Sequence, residues 1–236
     1  MIDEFEEDDR RRQAARFRPV RHAPADTGHM FVMMSCPGRE DVTKRTNASL
    51  VAGGLREWTG PVSFFSDDKR RGQAAAFFDV LRVAEATSGV HTLTLVEDDI
   101  AVAKNALTYI STTKLEEDVA LTSWFYQQIP ATRPVGHYFY IDKAAVFSCN
   151  QAITMPMQTI RTLLASDILK TWKDRHLGDM IFSRVMPEAN VAYHFPGLVQ
   201  HTGVGRSMAD TPLEFVTPGG SPTFVGEDFD AFDLTR

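Results

Sequence analysis

Three short apolar runs, each ending in a polar loop and separated from the next by a helical pattern, constrain the fold of this chain most. The runs cover residues 30–34, 61–65 and 90–96. Helical segments follow them at residues 46–55, 73–87 and 104–113. Strands that alternate with helices indicate a parallel sheet covered by helices. We therefore predict a single α/β domain with a Rossmann-type, mostly parallel sheet and helices on both faces.

The second half of the chain has a less regular pattern of apolar residues. It predicts strands or a hairpin at residues 120–126, 138–141, 144–148, 191–194 and 198–201. It predicts helices at residues 157–166 and 179–186. Because ligands bind at the carboxyl ends of the strands in open α/β sheets, we expect the loops at Ser35, Ser66 and Glu97 to converge on one crevice.

Composition divides the chain into a domain with two charged tails. Residues 1–28 hold an acidic block and then a basic block, which predicts a flexible arm. Residues 29–211 form the predicted domain, and residues 212–236 form an acidic extension containing Gly and Pro. No apolar run approaches the roughly 18 residues of a membrane span, and Cys36 and Cys149 form no disulfide framework. These features favour a cytoplasmic setting.

Three consecutive carboxylates, Glu97, Asp98 and Asp99, directly follow the third apolar run. Adjacent like charges repel, so they require a cation or exposure to water. Mg²⁺ and Mn²⁺ prefer carboxylate and water oxygens and are commonly shared with substrate phosphates. The motif thus indicates a divalent metal site for a diphosphate, the alternative being a solvated acidic turn.

Three further segments accompany this motif: Ser35-Cys36-Pro37-Gly38-Arg39 after the first strand, Gly178-Asp179 before a late helix, and Gln200-His201-Thr202-Gly203. In this order the segments resemble the nucleotide-sugar glycosyltransferases of the GT-A fold, over roughly residues 30–207. The similarity includes N-acetylglucosaminyltransferase-like enzymes and phage-encoded enzymes that modify DNA.

The resemblance implies a role for each matching residue. Asp99 and His201 would hold Mn²⁺ or Mg²⁺, and Asp179 would be the general base of an inverting transfer. The remaining matches would bind the nucleotide-sugar, expected to be a UDP-sugar: Ser35, Pro37, Arg39, Asp67, Asp68, Arg71, Glu97 and Asp98. Arg39 is expected to meet a phosphate. The alternatives are an N-cap for Asp179, a structural histidine for His201, and ordinary loop residues for the others.

The acceptor follows less directly from the sequence. The similarity to phage enzymes favours a hydroxymethylated pyrimidine in DNA, with action in the host cytoplasm, and Arg10 to Arg21 offer a phosphate-binding arm. The formal net charge of −6 counts against a broad nucleic-acid surface. Aromatic residues from Trp124 to Tyr140 would either stack on a flipped base or belong to the core.

Other functions remain open from the sequence. Bacterial surface polysaccharide is the alternative acceptor, and the oligomeric state is not indicated. A nucleotidyltransferase-like enzyme uses the same acidic chemistry, although the chain has no Gly-rich, Lys-bearing phosphate loop. A non-catalytic binding module on the same fold is the remaining class.

Overall fold

A computed structural model describes most of the chain. The described residues are 16–24, 28–56, 60, 62–67, 72–126, 136–147, 150–171, 180–202 and 221–233. Within them, no helix is long and apolar enough to cross a membrane.

Ten strands occur in the described residues. They are β1 (Phe17–Pro19), β2 (His29–Ser35), β3 (Val62–Ser66), β4 (Thr92–Glu97), β5 (Ile100–Val102), β6 (Val119–Ser123), β7 (Tyr138–Lys143), β8 (Ala152–Pro156), β9 (Asn190–Phe195) and β10 (Val199–His201). The α-helices are α1 (Glu40–Leu50), α2 (Gln73–Ala86), α3 (Ala106–Thr112), α4 (Met157–Leu164), α5 (Ile168–Thr171) and α6 (Ile181–Val185). A π-helical turn, Val51–Leu55, extends α1.

Eight strands form one sheet in the order β1-β7-β9-β6-β8-β4-β2-β3, and β10 pairs separately with β5. Strands β2, β3 and β4 are mutually parallel, and β8 is antiparallel to both β4 and β6. Strand β9 is parallel to β6, whereas β7 is antiparallel to β9 and to β1. Six of the eight strands therefore run in one direction, with β7 and β8 opposed. The predicted α/β fold with a mostly parallel sheet is confirmed.

Helices cover both faces of this sheet. Helices α2 and α4 pack on one face with inward residues such as Phe77 and Ile160, beside Leu93 and Leu95 of β4. Helices α1 and α3 lie on the other, where Leu50 and Leu107 join Val96 of the same strand. Successive side chains of β4 thus enter opposite cores, as the period of a strand requires. This alternation also determines where the carboxylates after β4 point.

Several predicted elements differ from the structure. Residues 144–146 form a 3-10 turn where a strand was predicted. Strands β1, β5 and β8 were not predicted, and α1 begins at Glu40, six residues before the predicted start at residue 46. Trp124, Phe125 and Phe139 are fully buried, so these aromatic side chains belong to the core and offer no surface for stacking on a base.

Both predicted tails contain ordered segments that pack on the domain. Strand β1 pairs with β7, and Arg18 forms ion pairs with Glu116 and Asp118. At the other end, Ala231 is fully buried and its backbone N–H donates to the Lys104 carbonyl at 2.9 Å. Both segments belong to charged stretches of the sequence. The N-terminal segment adds β1 to the edge of the sheet, and the C-terminal segment covers α3.

A buried histidine cluster connects the C-terminal segment to the sheet. The Tyr109 hydroxyl lies 2.8 Å from His137 Nδ1 and 3.1 Å from His194 Nε2. The opposite ring nitrogens face the Asp233 carbonyl at 3.0 Å and the Pro196 carbonyl at 2.7 Å, so they donate to these oxygens. One hydroxyl hydrogen serves two ring acceptors in turn when both rings are neutral. Burial lowers the pKa of His137 and lowers that of His194 well below its ordinary value.

Because of this cluster, we predict that the free energy of unfolding falls in weak acid. The unfolded rings take up protons near pH 6.5, whereas the folded rings stay neutral to lower pH. The stabilisation is therefore complete above about pH 6.5 and is lost as pH falls toward the lowered pKa values, by at most about 1.4 kcal/mol per pH unit for each ring. Urea unfolding across this range measures the slope.

The double substitution His137→Gln with His194→Gln is expected to flatten this pH dependence. His91→Gln is the matched control, because His91 is exposed and lies outside the cluster. An unchanged slope in the double variant would show that other groups cause the acid sensitivity.

Candidate functional site

The loops after β2, β3 and β4 meet at the carboxyl edge of the sheet. The Asp67 backbone N–H donates to the Ser35 carbonyl at 2.9 Å, which joins the first two loops. Asp67 is buried, and its Oδ2 accepts from the Gly72 N–H at 3.1 Å, at the start of α2. Ser35 and Asp67 therefore lie together here, and half-buried Pro37 occupies the turn that follows Ser35. Asp68, Arg71 and Asp179 lie outside the described residues.

Hydroxyl groups of α1 hold the acidic loop after β4 in place. Thr46 Oγ1 donates to the Asp98 carbonyl at 2.6 Å and accepts from the Ile100 N–H at 3.1 Å. The Thr202 N–H donates to the Asp99 carbonyl at 2.8 Å from the other side. The backbone between β4 and β5 is thus fixed by groups from two separate parts of the chain.

The three consecutive carboxylates point in different directions. Glu97 ends β4 on the face covered by α2, where Gln73 Nε2 donates to its Oε1 at 2.7 Å. Asp98 is buried on the α1 side, and Asp99 faces His201 of β10. This divergence follows from the alternation along β4 and separates charges that would repel if they shared one pocket.

Asp98 forms a buried ion pair with Arg39, the residue that precedes α1. Arg39 Nε lies 2.9 Å from both Asp98 oxygens, and Arg39 Nη2 lies 2.8 Å from Asp98 Oδ1. The Ser35 hydroxyl also donates to Asp98 Oδ2. The sequence led us to expect that both residues bind the nucleotide-sugar, and in the structure they bind each other. Removing one partner of such a buried pair typically costs about 3–5 kcal/mol.

Asp99 and His201 form the second polar pair of the site. His201 Nε2 lies 3.3 Å from Asp99 Oδ2, and Arg39 NH2 donates to the same oxygen at 2.7 Å. The hydrogen bond with Asp99 raises the pKa of His201. Burial opposes ionisation of Asp99, but the hydrogen bond and charge of His201, with Arg39, outweigh it and lower its pKa. Asp99 is therefore a carboxylate at neutral pH.

One oxygen of this pair has no protein donor in the described part of the chain. Asp99 Oδ1 is buried and has no hydrogen-bond partner among the described residues. A carboxylate oxygen beside an imidazole nitrogen fits Mn²⁺ or Mg²⁺, because both metals are commonly completed by phosphate and water oxygens. Within the described ranges, no group of three or more His, Cys, Asp or Glu side chains is arranged to hold a metal. The two residues thus fit a metal that is shared with a diphosphate.

Asn150 and Gln151, which directly precede β8, join the site, and the sequence did not indicate them. Strand β8 runs antiparallel to β4, so its first residues lie at the carboxyl edge, where the Gln151 carbonyl accepts from the Glu97 N–H at 3.0 Å. Asn150 is fully buried, yet both of its amide atoms lack partners in the described part of the chain. Gln151 Oε1 also lacks one there. Buried polar atoms without partners are rare, and these require a bound water, a polar ligand or another part of the chain as partner.

Comparisons with known proteins bear on the fold. No protein-family model and no curated protein matches the sequence. Among solved structures, the galactosyltransferase LgtC, in complex with donor and acceptor sugar analogues, is 14% identical over 70% of this chain and 72% of its own, with a TM-score of 0.41.

Drosophila β-1,4-galactosyltransferase 7, in complex with manganese, UDP-Gal and xylobiose, is 9% identical over 57% of this chain, with a TM-score of 0.37. The match spans about half of that protein's length, 51%. An inositol-1-phosphate CTP transferase of T. maritima is 13% identical over 70% of this chain and 65% of its own, with a TM-score of 0.34. At these identities the similarities concern the arrangement of strands and helices alone.

Proposed function

We propose that this protein is a metal-dependent glycosyltransferase that moves a sugar from a nucleotide-sugar, with UDP as the nucleotide, to an acceptor hydroxyl. The observation that carries the proposal is Oδ1 of Asp99 at the carboxyl end of β4, which is buried without a hydrogen-bond partner in the described part of the chain, on a carboxylate whose Oδ2 lies 3.3 Å from His201 Nε2. A buried carboxylate oxygen that has no protein donor, on a side chain whose other oxygen faces an imidazole, is a favourable place for a cation and an unfavourable one for a solvated turn.

The residues of the site divide the binding of the donor between them. Asp99 and His201 would hold the divalent ion, and its charge would stabilise the leaving diphosphate. Glu97, held by Gln73, accepts hydrogen bonds from the ribose. Asn150 and Gln151 offer amide groups to the sugar hydroxyls. This arrangement keeps the donor's polar groups paired while water is excluded.

For the chemical step we propose an inverting transfer with Asp179 as general base. The acceptor hydroxyl attacks the sugar carbon on the side opposite the diphosphate, and Asp179 takes the hydroxyl proton as the new bond forms. The assignment is motivated by the position of Asp179 in the sequence, shortly before α6, where the start of a helix was predicted.

Hydroxymethylated pyrimidine DNA is the first acceptor we propose to test. Three arginines of the N-terminal region are already engaged within the chain: Arg16 approaches Asp142, and Arg18 and Arg21 pair with Glu116. Contacts with DNA phosphates therefore depend on Arg10, Arg11 and Arg12, which lie outside the described residues. A surface-polysaccharide hydroxyl is the alternative acceptor, and one assay with labelled donor compares both acceptors with unmodified DNA.

The metal site predicts a synergistic effect on thermal stability. We expect UDP with Mn²⁺ to raise the melting temperature by several degrees, and UDP with EDTA to raise it much less. A ligand at about 100 times its dissociation constant stabilises the folded state by about 2.7 kcal/mol. Differential scanning fluorimetry with UDP, CDP and GDP measures the shift and identifies the base.

Product analysis separates this function from its rival. A glycosyltransferase releases a nucleoside diphosphate from a nucleotide-sugar, whereas a nucleotidyltransferase releases pyrophosphate from a nucleoside triphosphate and a sugar phosphate. Pyrophosphate release with CTP or UTP, without turnover of any nucleotide-sugar, would replace the proposed function. Equal melting shifts with metal and with EDTA would remove the metal from it.

A further inference from the structure

Contacts within the protein fix both the backbone and the side chain of Arg39. Its carbonyl accepts from the Thr43 N–H at 2.9 Å in the first turn of α1, and its side chain is only 9% exposed. The planar guanidinium faces both oxygens of Asp98 and extends its NH2 to Asp99 Oδ2. An arginine can bridge two carboxylates in this way because its donors form a rigid fork.

The contact with Arg39 makes the two oxygens of Asp99 unequal. Oδ2 accepts from Arg39 and lies 3.3 Å from His201, whereas Oδ1 is buried and lacks a partner among the described residues. The side chain of Asp99 is thereby fixed through one oxygen and presents the other. At the same time, a permanent positive charge lies beside the oxygens that a divalent cation would approach.

We propose that Arg39 is the positioning residue of Asp99: it orients Oδ1 toward the metal and, by its charge, keeps the site from holding a divalent cation tightly until a nucleotide diphosphate is bound. This inference rests on the proposed function, because it assumes a metal at Asp99 and His201.

The charges of the site explain how the diphosphate would help. Asp98 and Asp99 together carry a charge of −2, and the single positive charge of Arg39 lowers this net charge to −1, which weakens the attraction for a lone cation. A diphosphate adds negative charge and further oxygen ligands, and the cation is then attracted by both sides. The metal and the nucleotide therefore bind cooperatively.

The experiment compares two variants that differ only at residue 39. The variant Asp98→Asn keeps Arg39. The double variant, Arg39→Met with Asp98→Asn, removes both charges of the buried pair, so no carboxylate at position 98 is left without its partner. Each variant is titrated with Mn²⁺ alone, and electron paramagnetic resonance measures the concentration of the free ion. The dissociation constant for Mn²⁺ is expected to be about tenfold lower in the double variant than in Asp98→Asn. Transfer turnover is expected to change in the opposite direction and fall about tenfold, because Asp99 loses its orientation.

The opposed signs distinguish positioning from a structural role, which would weaken both properties. Arg18→Met with Asp118→Asn is the matched control: it makes the same changes in an arginine–aspartate pair elsewhere and should leave both properties at wild-type values. Arg39→Lys, which retains the charge without the fork, provides a second measurement. We expect its affinity for Mn²⁺ alone to stay within about threefold of wild type while kcat falls and the KM for the donor is retained.

Two results would overturn the inference. One is equal or weaker Mn²⁺ binding in the double variant than in Asp98→Asn. The other is a wild-type kcat in Arg39→Lys. If the wild-type protein binds no Mn²⁺ even with UDP, the proposed function itself fails, and this result is distinct from either of the other two.

Discussion

Asp99→Asn is expected to abolish the stabilisation by Mn²⁺ with UDP and to lower sugar transfer by about a thousandfold. The amide lacks the charge that holds the metal, and a metal ion contributes several kcal/mol to the stabilisation of a leaving diphosphate. An Asn oxygen still accepts from Arg39 and the backbone is unchanged, so the variant should fold. Turnover of the nucleotide-sugar and the metal-dependent melting shift are the two measurements.

The control for this variant is Asp118→Asn, which makes the same change in an ion pair that Arg18 forms elsewhere on the surface. It should retain wild-type turnover. Retention of the metal-dependent shift by Asp99→Asn would move the metal away from the carboxyl end of β4 and would leave the acidic motif with a structural role.

Asp179→Asn is expected to bind the donor normally and to lose about 10²–10⁴-fold in kcat, the usual contribution of general-base catalysis. The amide cannot accept the proton of the acceptor hydroxyl, whereas the metal and the nucleotide contact other residues. Steady-state kinetics and the melting shift with UDP and Mn²⁺ separate the two effects.

Asp167→Asn is the matched control for a role at a helix start. Asp167 directly precedes α5, and its side chain pairs with Lys170 at 2.7 Å. Comparable losses of stability in both variants, with near-wild-type turnover in Asp179→Asn, would assign Asp179 to the cap of its helix. Such a cap typically contributes about 1 kcal/mol.

The first half of the fold was predictable because its strands are continuous apolar runs bounded by polar loops. Strands β2, β3 and β4 lie within a few residues of their predicted positions. Strand β8 was missed because Ala152–Pro156 is buried and continues directly into α4, so neither alternation nor a turn marks its ends. Strand β5 has three residues, too few for any periodic pattern. The pairing of β8 between β4 and β6 is a long-range property that local periodicity does not contain.

The site was predictable only as far as residues follow strand ends. The sequence indicated that Ser35, Asp67 and the acidic motif share one edge, since parallel strands end together. It did not indicate that Asp98 pairs with Arg39, because the partners are 59 positions apart and meet through the packing of α1 on the sheet. Asn150 was not predicted for a related reason. It precedes β8, and residues before a strand lie at this edge only if that strand is antiparallel to its neighbours.

His201, the histidine of the proposed metal site, lies outside the main sheet. Among the described residues, β10 pairs only with the three-residue β5. The Ser221 N–H donates to the Gln200 side chain at 2.5 Å, and Gly197 forms an isolated β-bridge with Phe224. Val199 is buried, but Gln200 and His201 are only half-buried at the end of β10, and the end of a small sheet with few backbone hydrogen bonds opens at lower free energy than the core. On heating, the geometry of His201 is therefore the part of the site to be lost first. Inactivation at temperatures below the melting of the eight-stranded sheet would then reflect loosening of β10, with the loops after β2, β3 and β4 still folded.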